Sequence, residues 1–271
     1  MATILCSTGC CIGRPNGRDF RLLERLAPQL DCDGFEFMMY DSWYDRVDEL
    51  TEFLLAQGLL IPVVHCEKRI GELISLGEDT DEAIRRFTIN CKLAKRLGAD
   101  RLVIHLWDGM TSDRHFENNL ALYPRLKAIA ATHRLTLLVE NVVCSVADPM
   151  RRWRELRAID PAVCFVFDTK MAAFHGQLAQ LFAPENAWLW RERHIRHFHM
   201  NDYAGGIRDW ANLRTLPIGT GHIHWDPVFD FLERIGYDGT LTVESTAFDQ
   251  SGAVDTGMLN RQFYLLRERL M

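Results

Sequence analysis

Residues 165–176 read FVFDTKMAAFHG, an apolar run that ends on an acid, Asp168, and passes directly into a segment with helical spacing. A short apolar run bounded in this way and followed by an amphipathic stretch is the pattern of one strand–helix unit. The unit recurs. Apolar runs lie at 3–7, 34–38, 60–65, 101–105, 136–140, 163–168, 195–200 and 240–244. Between them, segments such as WYDRVDELTEFLLAQ (43–57), DTDEAIRRFTINCKLAKRLG (79–98) and PVFDFLERIG (227–236) carry apolar residues three and four apart. Several start on Asp or Pro, and two stop on Gly98 and Gly236, as helix ends should.

Eight such units in a chain of 271 residues predict an α/β protein, a single (β/α)8 TIM barrel domain over residues 1–271. The near-continuous apolar strands suit a parallel sheet covered by helices. A doubly wound open sheet is the rival, but STGCCIGRPNG (7–17), after the first strand, lacks the GxGxxG order of a dinucleotide loop. The longest non-periodic stretch, 201–224, follows the seventh run and reads as an elaborated loop at an active site.

Composition narrows the function classes. The net charge of -6, from 31 basic and 37 acidic residues, offers no basic excess for a phosphate backbone, so nucleic acid is not the expected partner. No apolar stretch approaches the length of a membrane span, and the first residues, MATILCSTGC, lack the features of a signal peptide. The eight cysteines are scattered without a repeating spacing, several within apolar runs, which is the usual setting of buried free thiols. A cytoplasmic protein without membrane attachment is the expectation.

In a (β/α)8 barrel the functional side chains project from the carboxyl ends of the strands. Those ends carry His65, His105, Glu140, Asp168, His199 and Glu244, on the third to the eighth runs. Each alone has an ordinary reading: a strand-end acid is commonly a helix cap or an ion-pair partner, and His65 and His105 could be core histidines bonded to carbonyls. Three carboxylates converging at the ends of apolar runs are another matter, because burial without a partner costs several kcal/mol each. One divalent metal ion answers that cost. With three carboxylates and an imidazole the set is hard and oxygen-rich, suited to Mn, Mg or Co, with Zn also accommodated.

The segments LLVENV (137–142), FDTKMAAF (167–174), HFHMND (197–202), LPIGTGHIHW (216–225) and GTLTVES (239–245) resemble the sugar phosphate isomerase/epimerase superfamily, whose xylose isomerase-like TIM barrel also contains AP endonuclease family 2. DGFEFMMYDSW (33–43) resembles its second strand. The resemblance covers nearly the whole chain, and its strongest markers are the His-x-His-x-x-Asp of the seventh strand and the later Gly-x-Gly. It implies Glu140, Asp168, His199 and Glu244 as ligands of one divalent ion, with His197 deeper in the barrel. It also implies Glu140 and Glu244 as the catalytic carboxylates that move protons on opposite faces of a substrate. A small-molecule carbohydrate is the implied partner, and a homo-oligomer paired through barrel helices is common among relatives.

The chain departs from that pattern at Met171, where many relatives carry a histidine, and a thioether cannot stand in for an imidazole as a proton donor. His175, four residues on, falls on the same face if the segment is helical. Lys170, Arg208 and Arg214 are candidates for a substrate oxyanion, His65 and His105 for the substrate pocket, and His222 and His224 for its rim. The expected activity is a metal-dependent isomerase or epimerase acting on a sugar, sugar acid or polyol through an enediolate. A related dehydratase is the alternative, and an endonuclease IV-like nuclease or a non-catalytic ligand-binding barrel stands further off. The Asp-x-His of a trinuclear zinc site is not evident in RDWANLRTLPIG (208–219).

Overall fold

Alternation along each strand decides which side chains face inward. A computed structural model of the chain describes residues 2–107, 109 and 113–270. Its strands are β1 Thr3–Ser7, β2 Gly34–Met38, β3 Val63–His65, β4 Arg101–Ile104, β5 Thr136–Glu140, β6 Cys164–Asp168, β7 Ile195–Met200 and β8 Thr240–Val243. They follow one another in hydrogen-bonded order from β1 to β8, and the order closes as a barrel with parallel pairs. Four strands have the bounds read from the sequence; β4, β6 and β8 are shorter by one residue. β3 starts three residues late because Pro62 has no N–H for a ladder, and only its carbonyl is used, by the N–H groups of Asp100 and Arg101.

The helices begin and end where the local chemistry requires. Asp79 and Asp148 cap Thr80–Arg96 and Pro149–Ile159 by accepting from the N–H groups of Glu82 and Arg151. Gly98 and Gly236 take positive φ just past helix ends. The segment DFRLLERLAPQL (19–30) has helical spacing, and Pro28 accompanies a break in it: it is α-helical over Leu22–Leu26 and 3-10 over Ala27–Gln29. The helix Arg69–Leu76 was not anticipated. Among the described residues no helix is long and apolar enough to cross a membrane.

Two compact units make up the chain, Phe37–Val166 and the pair of segments Met1–Glu36 and Phe167–Met271. In the first, Val63 pairs with Arg101, Leu102 with Leu137, and Glu140 with Val166. Phe165 turns outward and stacks on Trp153 of the helix Pro149–Ile159, ring centroids 4.3 Å apart. By alternation Val166 and then Asp168 turn inward. In the second, β7 pairs with β8 (His197 with Thr240, His199 with Thr242) and β8 with β1. Phe198 is fully buried, stacked at 6.0 Å on Trp190 and edge-on to Tyr237 at 5.1 Å. With Phe198 committed outward, His197 and His199 take the inner face.

Phe198→Ala should therefore cost about 3–5 kcal/mol of unfolding free energy in urea titrations. A loss below about 1 kcal/mol would show that this ring does not hold the strand's orientation.

Candidate functional site

Inner-face side chains of β2, β7 and β8 form a buried polar cluster. Glu36, in the middle of β2, has no exposure to solvent, and neither do His197 and His199. Its Oε2 is 2.7 Å from His197 Nε2 and its Oε1 is 3.1 Å from His199 Nε2. His197 is gripped from its other side by Thr240, whose hydroxyl meets Nδ1, and Thr242 Oγ1 lies 3.1 Å from Nε2. Burial works against ionisation of Glu36, yet the nearby His199 and His197 rings and their hydrogen bonds outweigh it and hold the carboxyl well below the usual range.

Above this layer, His199 presents Nδ1 to two acids. It lies 3.5 Å from Glu244 Oε2 and 3.9 Å from Asp168 Oδ2. Asp168 is fully buried and divides its oxygens between two tasks. Oδ1 accepts the Met171 N–H at 2.7 Å, capping the short helix Thr169–Phe174, and Oδ2 accepts from Asn201 Nδ2 at 3.1 Å. The helix-cap reading of this residue is thus realised. Glu244 follows directly on β8, retains 12% side-chain exposure, and its Oε1 is buried with no hydrogen-bond partner among the described residues. An unpaired carboxylate oxygen beside a second acid and an imidazole is a costly arrangement for the bare protein and a fitting one for a divalent cation. Asp168, His199 and Glu244 are residues of this unit that could hold it.

In the other unit, Glu140 ends β5 and is held by two imidazoles at the same oxygen. His105 Nε2 is 2.8 Å and His65 Nε2 is 3.2 Å from Glu140 Oε2, and all three residues are buried. The His65 ring is fixed in turn by its Nδ1 at the Cys66 carbonyl, 2.8 Å away. His65 and His105 are therefore bonded to a carboxylate, where the sequence left them as pocket or core histidines.

The remaining candidates are placed as follows. Lys170 is buried, and its Nζ donates to Thr215 Oγ1 at 3.1 Å. His175 is half-buried at the C-cap of the helix, its N–H on the Met171 carbonyl one turn back, and its ring lies edge-on to Phe174 at 5.0 Å. Arg208, Arg214, His222 and His224 are exposed. Arg208 sits at positive φ with its N–H on the Phe174 carbonyl.

Asp202 organises the long loop after β7. Its carboxylate accepts from the N–H groups of Tyr203, Gly219 and Ile223 and from Trp225 Nε1, at 2.8 to 3.1 Å. A Cβ on Gly221 would come within 2.3 Å of Asp202 Oδ1, so the loop closes around this acid only with glycine there. The His-x-His-x-x-Asp and Gly-x-Gly markers are thus parts of one construction.

The xylose isomerase-like TIM barrel family matches residues 25–259. The chain belongs to this family. Solved structures that it resembles include a D-tagatose 3-epimerase-like protein (17% identity, TM-score 0.72, covering 99% of this chain and 97% of that one). Another is the apo form of 3-keto-D-glucoside 4-epimerase YcjR from E. coli (16%, 0.71, 99% and 100%). A third is the IolI protein with a bound zinc atom (15%, 0.73, 99% and 98%). At these identities the family likeness is one of fold. A search of curated protein sequences returned no match.

Sequence reading missed Glu36 and Asn201 as site residues. The signal for Glu36 was an acid inside the apolar run GFEFM (34–38), where water cannot reach it. Because Asp202 satisfies four donors, Asp202→Ala should cost about 3 kcal/mol or more and expose the loop to limited proteolysis. An unchanged urea midpoint together with an unchanged cleavage pattern would show that the loop is held by other means.

Proposed function

We propose that the protein is a divalent-metal-dependent isomerase or epimerase of a sugar, sugar acid or polyol. The observation that carries this reading is the meeting of Asp168 and Glu244 on His199 Nδ1, with Glu244 Oε1 buried and unpartnered among the described residues. The family resemblance adds Glu140 as the fourth ligand. Its strand register supports the assignment, since Glu140 pairs with Val166, two residues before Asp168 on the same inward face. The fold of the family and the epimerases among its structural relatives support the same class of chemistry.

When bound, a divalent ion polarises adjacent substrate oxygens and acidifies the carbon-bound hydrogen beside them. The protein's own residues supply the rest. Glu140 is locked by His65 and His105 before substrate arrives, so its carboxylate meets a carbon-bound proton without reorganising. It removes the proton from one face of the substrate, giving the enediolate. Glu244, the more accessible carboxylate, exchanges a proton on the opposite face. Removal on one face and return on the other inverts the carbon; return to the neighbouring carbon isomerises the sugar. The hard donor set suits Mn, Mg or Co, and Zn is accommodated.

The test is a panel of ketoses, sugar acids and inositols incubated in D2O with Mn(II), scored for deuterium at carbon. Wild-type protein should exchange at least one of them, and Glu140→Gln should lower that rate by about 10²–10⁴-fold. Full exchange in Glu140→Gln would remove Glu140 from the reaction.

A further inference from the structure

We infer that Glu36 is a positioning residue that selects the metal-facing nitrogen of His199, with His197 as its brace. The inference rests on the metal reading above and concerns a layer beneath the ligands. An imidazole that binds a metal through one nitrogen carries its proton on the other, and the acceptor for that proton fixes both tautomer and ring angle. His199 Nε2 points at Glu36 Oε1, 3.1 Å away, which places a carboxylate acceptor in line with an N–H on that nitrogen. Nε2 therefore bears the hydrogen, and the lone pair falls on Nδ1. Nδ1 is the atom that faces Glu244 and Asp168.

The second oxygen of Glu36 is held just as firmly. His197 Nε2 approaches Oε2 at 2.7 Å, while the Thr240 hydroxyl can donate to His197 Nδ1 and so leave Nε2 as the N–H. His197 thus acts as a donor to Glu36, and the two rings, edge-on at 5.1 Å, hold the carboxylate between them. The 2.7 Å approach of Glu36 to His197 is that of a hydrogen bond. The trio is consequently a support for the site above it. Glu36→Gln would keep the shape but offer one acceptor oxygen where two N–H groups point, so one ring would lose its partner.

Cobalt(II) is a suitable probe because its visible spectrum reports ligand geometry. Titrated into wild-type protein and Glu36→Gln, it should bind about 10–100-fold more weakly to the variant, with an altered visible spectrum and an unchanged far-UV circular dichroism spectrum before metal is added. Nitrogen-15 NMR of the imidazoles in zinc-loaded wild-type protein gives an independent readout that needs no variant: His199 should carry its proton on Nε2. Equal affinity and spectrum in Glu36→Gln, or an Nδ1–H tautomer for His199, would overturn the inference and leave the metal reading standing. Failure of cobalt to bind the wild-type protein at all would overturn the metal reading, and the inference with it.

Discussion

A carboxylate cut off from water must find donors within the protein, and Glu36 finds one for each oxygen. This double contact fixes the two histidines of β7 against β2. Once both rings are set, the nitrogen of His199 left facing upward is determined, and so is the position at which Asp168 and Glu244 meet it. Phe198, between the two histidines in sequence, secures the same strand from outside by stacking on Trp190. The strand is held on one face by polar contacts and on the other by aromatic packing, and neither alone would fix the rotation of its side chains.

Asp168 shows how little material such a site requires. One oxygen satisfies an N–H at the start of a helix and the other faces His199. The helix cap orients the carboxylate, so no further residue is needed to aim it. Asn201 then takes the same oxygen that faces His199, while Thr169 bridges to the backbone of Asn201 and ties the end of β6 to the end of β7.

Much of this was legible in the sequence. Strand ends could be read because apolar runs stop abruptly at Glu140, Asp168 and Glu244, and the helices because their apolar spacing and Asp caps agree. The interior of a strand hides its meaning: Glu36 lies inside a five-residue strand that is buried throughout, and only three-dimensional proximity reveals which two imidazoles meet it. His175 packs against Phe174 at the end of its helix. The segment after Asp168 keeps a helical pattern of apolar residues, but the helix ends at Phe174 and Gly176 turns the chain at positive φ. The mutual bonding of His65 and His105 through Glu140 depends on side chains 75 and 35 residues apart in sequence, which no periodicity encodes.

The loop after β7 is pinned at its two ends. Asp202 and Leu216 exchange backbone hydrogen bonds, and the Asp202 side chain then reaches as far as Trp225. The residues from Ala204 to Arg214 run between these anchor points, most of them exposed, with the Arg208 N–H on the Phe174 carbonyl and Trp210 edge-on to Phe174. Such an arrangement separates what must stay constant from what is at liberty to vary: insertions or substitutions in the intervening span leave the clamp intact. A lineage could therefore remodel the rim of the barrel to suit a new compound without disturbing the acids and imidazoles beneath it.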